Sequence, residues 1–143
     1  FFSGCFMANK NASENINVMV RVRPQNEEET KQGGKPCLHC LADGKTIECS
    51  DDYQKLTFKC TKVFPEHATQ QDVYDHVAPP VIDSVTNGIN AAVIAYGQTG
   101  SGKTHTMYKS EADNELGRGL VPRILDSLFR RVSNPMIEEA MYF

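Results

Sequence analysis

The sequence predicts an α/β fold, because segments with the two-residue period of a β-strand alternate with segments that have the caps and apolar faces of α-helices. Three observations carry this prediction. They are strict apolar alternation at residues 16–23, a capped helix that begins after Thr69, and an apolar strand at residues 91–96 that enters a glycine-rich loop. The chain has 143 residues, which is the size of a single domain.

Charge and composition narrow the classes of function. The net charge of −3 gives no electrostatic basis for binding nucleic acid. No apolar run approaches the roughly 20 residues that cross a bilayer, so membrane insertion is not predicted. Five cysteines without a secretory signal indicate a reducing, intracellular setting, and we expect a cytoplasmic protein.

Both ends of the chain suggest a fragment. The first methionine is Met7, and residues 1–13 are expected to be a disordered leader because they are polar and aperiodic once the first six are set aside. The last residues, 136–143, are rich in apolar side chains and resemble the beginning of a strand. We therefore expect residues 14–143 to be part of a larger domain.

The first strand is predicted at residues 16–23, where apolar side chains alternate with polar ones until Pro24 ends the strand. Arg21 and Arg23 leave the same face near its C-terminal end, which is the edge where open α/β sheets bind ligands. Residues 25–36, including the three consecutive glutamates at 27–29, are predicted to form a solvated loop.

A small antiparallel β region is predicted between residues 37 and 65. The pair Asp43-Gly44 is a hairpin signal, the segment around Phe58 alternates again, and Val63-Phe64-Pro65 closes the region. The sequence Cys37-Leu38-His39-Cys40 has the form of half a zinc site, but ten residues lie between Cys49 and Cys60, so a second pair is missing. Ordinary thiols are therefore predicted, without a metal.

Two longer helices are predicted. The first is capped by Thr69 with Asp72 three residues later, Pro79-Pro80 should kink or restart it, and Asn87-Gly88 should end it. The second has Pro122 in its first turn and a predicted core face. That face consists of Ile124, Leu125, Leu128 and Phe129. Residues 108–119 are predicted to form a polar loop.

The most specific motif occupies residues 97–104, Gly97-Gln98-Thr99-Gly100-Ser101-Gly102-Lys103-Thr104. It matches the phosphate-binding pattern G-x-x-x-x-G-K-[ST], after a predicted buried strand and before a predicted helix start. The glycines permit backbone angles and close approaches that a side chain would block. Lys103 supplies an ammonium for the β- and γ-phosphates and the Thr104 hydroxyl a ligand for Mg²⁺, so a nucleotide site is predicted.

The run from Ala95 to Met107 resembles the nucleotide loop of the kinesin motor domain nearly letter for letter. Three further stretches agree in order and spacing, namely residues 20–24, 71–90 and 119–123. The resemblance covers about residues 14–143 and implies a phosphate-loop NTPase fold. In that fold a mixed, mostly parallel central sheet is flanked by helices, and this chain would hold an incomplete part of it.

The resemblance also implies a function and its residues. ATP with Mg²⁺ would bind with Arg21, Arg23 and Pro24 around the adenine, His105 nearby and residues 97–104 on the phosphates, with Thr104 on the metal. Tyr96 is predicted to be a core anchor. The family implies a motor of the cytoplasm and cytoskeleton that couples ATP hydrolysis to movement along microtubules, with its oligomeric state left open.

Two departures from the family pattern bear on the prediction. Cys60-Thr61 stand where the family usually has a Phe-Asp pair, which weakens a packing position. The switch motifs Asn-x-x-Ser-Ser-Arg-Ser-His and Asp-Leu-Ala-Gly-Ser-Glu do not occur in these residues, so no catalytic residue is predicted and hydrolysis by this segment stays open.

Three hypotheses therefore remain. The first is a fragment of an ATP-hydrolysing motor, and we expect its phosphate-loop strand to lack its neighbours and the isolated segment to be poorly soluble. The second is a non-catalytic nucleotide-binding remnant or a truncated interaction module. The third is a different phosphate-loop ATPase, such as a myosin-like motor. The amino-acid sequence of the loop and the Arg-x-Arg-Pro sequence at residues 21–24 argue against it.

Overall fold

A computed structural model describes residues 2–9, 16–51, 53–109 and 117–133. The helices and strands of these residues follow one another as β1 (Phe2–Asn9), β2 (Asn17–Val22), α1 (Glu27–Lys31), β3 (Leu38–Cys40), β4 (Thr46–Ser50), β5 (Lys55–Lys59), β6 (Lys62–Phe64), α2 (Gln70–Thr86), β7 (Ala91–Tyr96), α3 (Lys103–Tyr108) and α4 (Leu120–Val132). Of the helices described, none combines the length and apolar character needed to cross a membrane.

The chain divides into two compact units. The first comprises Ile16–Ala68 and Ile94–Lys103, with the first part of β1. The second comprises Thr69–Val93 and the described residues from Thr104 onward.

The larger sheet has the strand order β6-β2-β1-β7. Strand β2 is parallel to β6, with Val20 opposite Val63, and antiparallel to β1, with Val20 opposite Gly4. The sheet is therefore mixed, as predicted. Without β1, the edge of β2 that faces away from β6 would leave its N–H and C=O groups without partners in the sheet. The start of the chain satisfies these groups by pairing with β2 as a strand.

Residues 2–9, which belong to the leader predicted at residues 1–13, form β1 in this structure. The prediction relied on side-chain pattern, whereas the ladder of hydrogen bonds between β1 and β2 involves only backbone groups. Residues 10–13 lie outside the described residues.

The core of the first unit is built on β2. Val20 and Val22 are buried together with Ile47 and Val63, as the predicted alternation requires. Met19, on the opposite face of β2, is also buried, whereas Ile16 at the start of the predicted strand is exposed. Burial of both faces is typical of a strand that has a parallel neighbour.

The predicted hairpin is confirmed. Strands β3, β4 and β5 form an antiparallel sheet, and Gly44 in the β3–β4 turn has a φ of 64°. The Asp43 carboxylate accepts hydrogen bonds from the Thr46 backbone N–H (2.9 Å) and hydroxyl (2.6 Å), which lowers the pKa of Asp43.

Strand β6 differs from the prediction, because it leaves this small antiparallel region and pairs parallel to β2. Val63 and Phe64 are buried there, and the gain from burying two apolar side chains explains the change of sheet. Among the described residues, Cys37, Cys40, Cys49 and Cys60 are free thiols, and no three metal-ligating side chains form a group.

The loop predicted at residues 25–36 is partly wrong, because Glu27–Lys31 form helix α1. Asn26 caps this helix, and its side chain accepts a hydrogen bond from the Glu29 backbone N–H (2.8 Å). The Glu29 carboxylate accepts in return from the Asn26 N–H (2.9 Å), which completes a capping box. The glutamates therefore form the first turn of a helix. Acidic side chains stabilise a helix at this end, because the helix dipole is positive there.

Helix α2 begins as predicted in the second unit. The Thr69 hydroxyl accepts from the Asp72 N–H (3.1 Å), and the Asp72 carboxylate accepts from the Thr69 N–H (2.7 Å). The helix continues through Pro79 and Pro80 without the predicted restart. The carbonyls that lose an intrahelical donor to these prolines belong to exposed residues, Asp75 and His76, where water can reach them.

The end of α2 is confirmed at Asn87-Gly88. Gly88 has a φ of 72°, its N–H donates to the Val85 carbonyl (3.0 Å), and the Ile89 N–H donates to the Ser84 carbonyl (2.9 Å). These two bonds form a Schellman motif, which needs a residue that tolerates the left-handed conformation.

Helix α4 starts as predicted, with Leu120 buried, but its predicted core face is wrong in part. Leu125 and Phe129 are 47% and 68% exposed. Arg123, Ser127 and Arg131 of α4 form hydrogen bonds to Gln71, Tyr74 and Asp83 of α2. These three residues are spaced four positions apart and so share one face of α4. The expected strand start at residues 136–143 and most of the expected loop at residues 108–119 lie outside the described residues.

Strand β7 occurs where predicted, but it is not buried. Its residues alternate between half-buried and exposed, with Ile94 59% and Tyr96 71% exposed. The prediction of Tyr96 as a core anchor is therefore wrong, because most of its surface is exposed.

Candidate nucleotide-binding site

The glycine-rich loop connects β7 to α3, which is the predicted context for a phosphate-binding motif. Gly100 and Gly102 have φ values of 80° and 96°. An ideal Cβ atom at either position would meet no heavy atom within 4 Å. These two glycines are thus required by backbone conformation, and the space beside them is open to a ligand.

The Lys103 side chain folds back over its own loop. Its ammonium donates to the carbonyl oxygens of Gly97 and Gln98, both at 2.7 Å. Within the described parts of the chain, no carboxylate lies at ion-pair distance from Lys103. Among the described residues its partners are neutral carbonyl dipoles, so an anionic phosphate oxygen would be a stronger partner.

Ser101 supplies a buried hydroxyl in the same loop. The residue is 1% exposed, and its Oγ has no hydrogen-bond partner among the described residues. A buried polar group without a partner costs about 1–3 kcal/mol. A polar ligand or water in the loop would remove this cost, so the loop fits a bound group rich in oxygen.

Arg23 is brought to the loop from the end of β2. Its Nε donates to the Gly100 carbonyl (2.9 Å) across 77 positions of sequence, and its Nη1 donates to the Pro24 carbonyl (2.8 Å). Both terminal nitrogens also bind the Glu29 carboxylate. The structure therefore joins two residues that the sequence assigned to the same site, Arg23 and Gly100.

The other predicted purine contacts are placed differently. Arg21 donates from Nη2 to the Ala68 carbonyl (3.1 Å), so this bond directs it toward the segment before α2. Pro24 is exposed. Thr104 and His105 lie in α3, are exposed and belong to the second unit. The roles of these four residues stay predictions.

Two residues that contribute to the surroundings of the motif were missed. Gln70, buried at the start of α2, donates from Nε2 to the His105 carbonyl (2.7 Å), and a glutamine at a helix start gives no sequence signal for this. Glu29 was assigned to a solvated loop, although the spacing from Asn26 to Glu29 is that of a capping box.

The pKa of Glu29 is strongly lowered. The hydrogen bonds from the Arg23 guanidinium, followed by the bond from the Asn26 N–H, lower the pKa of Glu29 to about 2. The same carboxylate raises the pKa of Arg23. The pair is therefore ionised throughout the neutral range.

Acidification is expected to weaken the attachment of α1 to β2. The folded-state pKa of Glu29, about 2, is below its ordinary value of 4.5, so the stabilisation is present above pH 4.5 and is lost as the pH falls toward 2. Thermal unfolding followed between pH 6 and 3 should show a smaller pH dependence in Glu29→Gln. The exposed neighbour variant Glu28→Gln should keep the parent profile, and an unchanged dependence in Glu29→Gln would contradict the assignment.

The site can be compared with known proteins. The kinesin heavy chain of Syncephalastrum racemosum is 41% identical over 118 residues, which cover 82% of this chain and 13% of that protein. Kinesin-related protein 3 of Dictyostelium discoideum is 40% identical over 122 residues, which cover 83% of this chain and 10% of that protein. This chain thus spans only a small part of the curated relatives it matches.

A solved structure of a fast kinesin is similar in fold, with a TM-score of 0.68 at 33% sequence identity. The alignment covers 77% of this chain and 31% of that chain, and it confirms the predicted phosphate-loop NTPase fold. The sequence model of the kinesin motor domain matches residues 21–142, a range that begins at Arg21 and contains the whole phosphate loop. By this match and by its relatives, the chain belongs to the kinesin motor domain family.

Proposed function

We propose that the loop at residues 97–104 binds the phosphates of ATP together with Mg²⁺. The observation that carries this proposal is the Lys103 ammonium, which no described carboxylate neutralises and which lies over a loop of open, positive-φ glycines. The family match supports the same assignment. Residues 14–143 would then be part of the nucleotide-binding half of a motor domain.

Each residue of the loop would have a separate task. Lys103 would exchange its two carbonyl partners for oxygens of the β- and γ-phosphates, and the Thr104 hydroxyl would hold the metal. When bound, Mg²⁺ would neutralise part of the phosphate charge. Arg21, Arg23, Pro24 and His105 would surround the purine, and Arg23 would also keep its bond to Gly100.

The complete protein would couple ATP hydrolysis to movement along microtubules in the cytoplasm and cytoskeleton. This part of the proposal rests on the relatives, because the chain covers only 31% of the fast kinesin. The structure of that kinesin was described for its ATPase mechanism and its interactions with microtubules. The net charge of −3 favours neither nucleic acid nor an anionic membrane as a partner.

The test is a comparison of binding and turnover in the complete protein that contains these residues. We expect saturable MgATP binding and an ATPase rate that microtubules increase. Binding without turnover, with or without microtubules, would support the alternative of a non-catalytic nucleotide-binding remnant. Absence of MgATP binding by folded protein would overturn the proposal.

A further inference from the structure

We propose that Glu29 is a positioning residue of the nucleotide site, which acts through Arg23 on the carbonyl of Gly100 and so on the shape of the phosphate loop. The inference rests on the proposed function for its effect on nucleotide binding. Its structural part, the control of the loop by Glu29, concerns the protein without nucleotide.

The first step is the attachment of Glu29 to rigid backbone. Glu29 is the third residue of α1, and its carboxylate accepts from the Asn26 N–H (2.9 Å) while its own N–H bonds to the Asn26 side chain (2.8 Å). At the other end of α1, the Gly34 N–H donates to the Glu29 carbonyl (2.9 Å). A Cβ atom at Gly34 would lie 2.8 Å from that carbonyl oxygen, so the chain is closely packed around Glu29.

The second step is the fork between Glu29 and Arg23. The two carboxylate oxygens bind the two terminal nitrogens of Arg23, in the parallel geometry that makes guanidinium–carboxylate pairs strong and directional. Both side chains are about four-fifths buried, with exposures of 23% and 21%, which limits competition by water. An arginine held at both terminal nitrogens loses the freedom of its long side chain.

The third step is the Nε–H donor of Arg23. With the fork fixed, the Nε–H points at the Gly100 carbonyl, 2.9 Å away. Because the peptide group is planar, holding this carbonyl also holds the N–H of Ser101, which bonds within the loop to the Gln98 carbonyl (3.2 Å). Glu29 thus restrains, through Arg23, the peptide group between Gly100 and Ser101 in the phosphate loop.

The charge of Glu29 and its positioning of Arg23 are expected to change nucleotide affinity in opposite directions. Its negative charge offsets that of Arg23, so removing the carboxylate would by itself strengthen the attraction for a triphosphate. The geometry favours position, because Arg23 reaches the loop through the Gly100 carbonyl, and its terminal nitrogens bind Glu29 and the Pro24 carbonyl. Loss of Glu29 should therefore weaken nucleotide binding, and the sign of the change discriminates between the two effects.

The experiment uses Glu29→Gln in the full chain, with Glu28→Gln as the matched control. Glutamine has the same size and can still complete a capping box, so the variant removes the charged fork and leaves the helix start. Without nucleotide, we expect exchange of the Ser101 backbone amide, which donates to the Gln98 carbonyl, to accelerate roughly tenfold in Glu29→Gln, as for loss of one charge-assisted hydrogen bond. Exposed Glu28 should show the parent rates. Unchanged loop exchange in folded Glu29→Gln would overturn the proposal.

A double-mutant cycle on MgATP affinity tests the route through Arg23. Glu29→Gln should weaken MgATP binding roughly tenfold in the parent and should add less than about twofold in an Arg23→Ala background. Additive losses, or tighter binding by Glu29→Gln, would overturn the proposal. Should Glu29→Gln not fold, Arg23→Lys takes its place and is expected to accelerate loop exchange, and unchanged exchange would count against the route.

The two proposals fail in different ways. If the folded parent binds no MgATP, the proposed function fails, while loop exchange still decides whether Glu29 positions the loop. If MgATP binds and neither loop exchange nor affinity responds to Glu29→Gln, the proposed function stands and the role of Glu29 is refuted.

Discussion

Replacement of Lys103 with alanine is expected to weaken MgATP binding on the order of 100-fold, about 3 kcal/mol. The Lys103 ammonium has two carbonyl partners at 2.7 Å, and no described carboxylate shares its charge. Its loss would remove the one side-chain cation of the loop itself. Titration calorimetry on the complete protein, in parallel with the parent, measures the change.

Lys59→Ala is the matched control, because Lys59 is an exposed lysine of β5 in the first unit and lies outside the motif. Its affinity for MgATP should equal that of the parent. If Lys103→Ala retains an affinity within about threefold of the parent, the loop does not hold the phosphates, and the nucleotide assignment loses its main support.

Replacement of Gly119 with alanine is expected to destabilise the protein by about 2–3 kcal/mol, as overpacking of a well-filled site does. An ideal Cβ at Gly119 would lie 2.6 Å from the carbonyl carbon and oxygen of Met107 and 2.7 Å from the Tyr108 nitrogen. These are backbone atoms of α3 and cannot rotate away. The φ of −74° suits any residue, so space alone requires glycine here.

The comparison for Gly119→Ala is Gly88→Ala in the same unit. Gly88 has a φ of 72°, but a Cβ there would meet no heavy atom within 4 Å. Alanine should therefore cost only the left-handed conformation, about 1–2 kcal/mol. Urea unfolding of both variants gives the two free energies, and a Gly119→Ala cost no larger than that of Gly88→Ala would show that α4 does not start against α3 as described.

Features with short-range causes could be predicted from the sequence. The caps of α2 depend on residues three positions apart, Thr69 and Asp72, and its end depends on the conformational freedom of Gly88. The phosphate loop is likewise a local motif, so its position between β7 and α3 was predicted correctly.

Features that depend on distant partners could not be predicted. In the sequence, the three consecutive glutamates at residues 27–29 predict a solvated loop. Only the tertiary structure shows that Glu29 is the counter-ion of Arg23, which also binds the Gly100 carbonyl. Similarly, the apolar side chains of Leu125 and Phe129 predict a core face but are exposed, and Arg123, Ser127 and Arg131 form hydrogen bonds to α2 that the sequence pattern does not predict. In each case the partner is set by tertiary structure and leaves no local pattern.

Strand β1 also depends on a distant partner, because its backbone groups pair with those of β2. Its pairing with β2 satisfies a sheet edge, and hydrogen bonds between backbone groups place few demands on the side chains involved. A segment without polar–apolar alternation can therefore become a strand when an edge is available.

The most direct test of the nucleotide assignment is a titration of isotope-labelled protein with MgATP, followed through its backbone amide resonances. We predict that the amides of residues 98–103 shift first and saturate together, and that their saturation in Lys103→Ala needs roughly 100-fold more MgATP. Saturable shifts confined to other residues, with the loop amides unmoved, would contradict it.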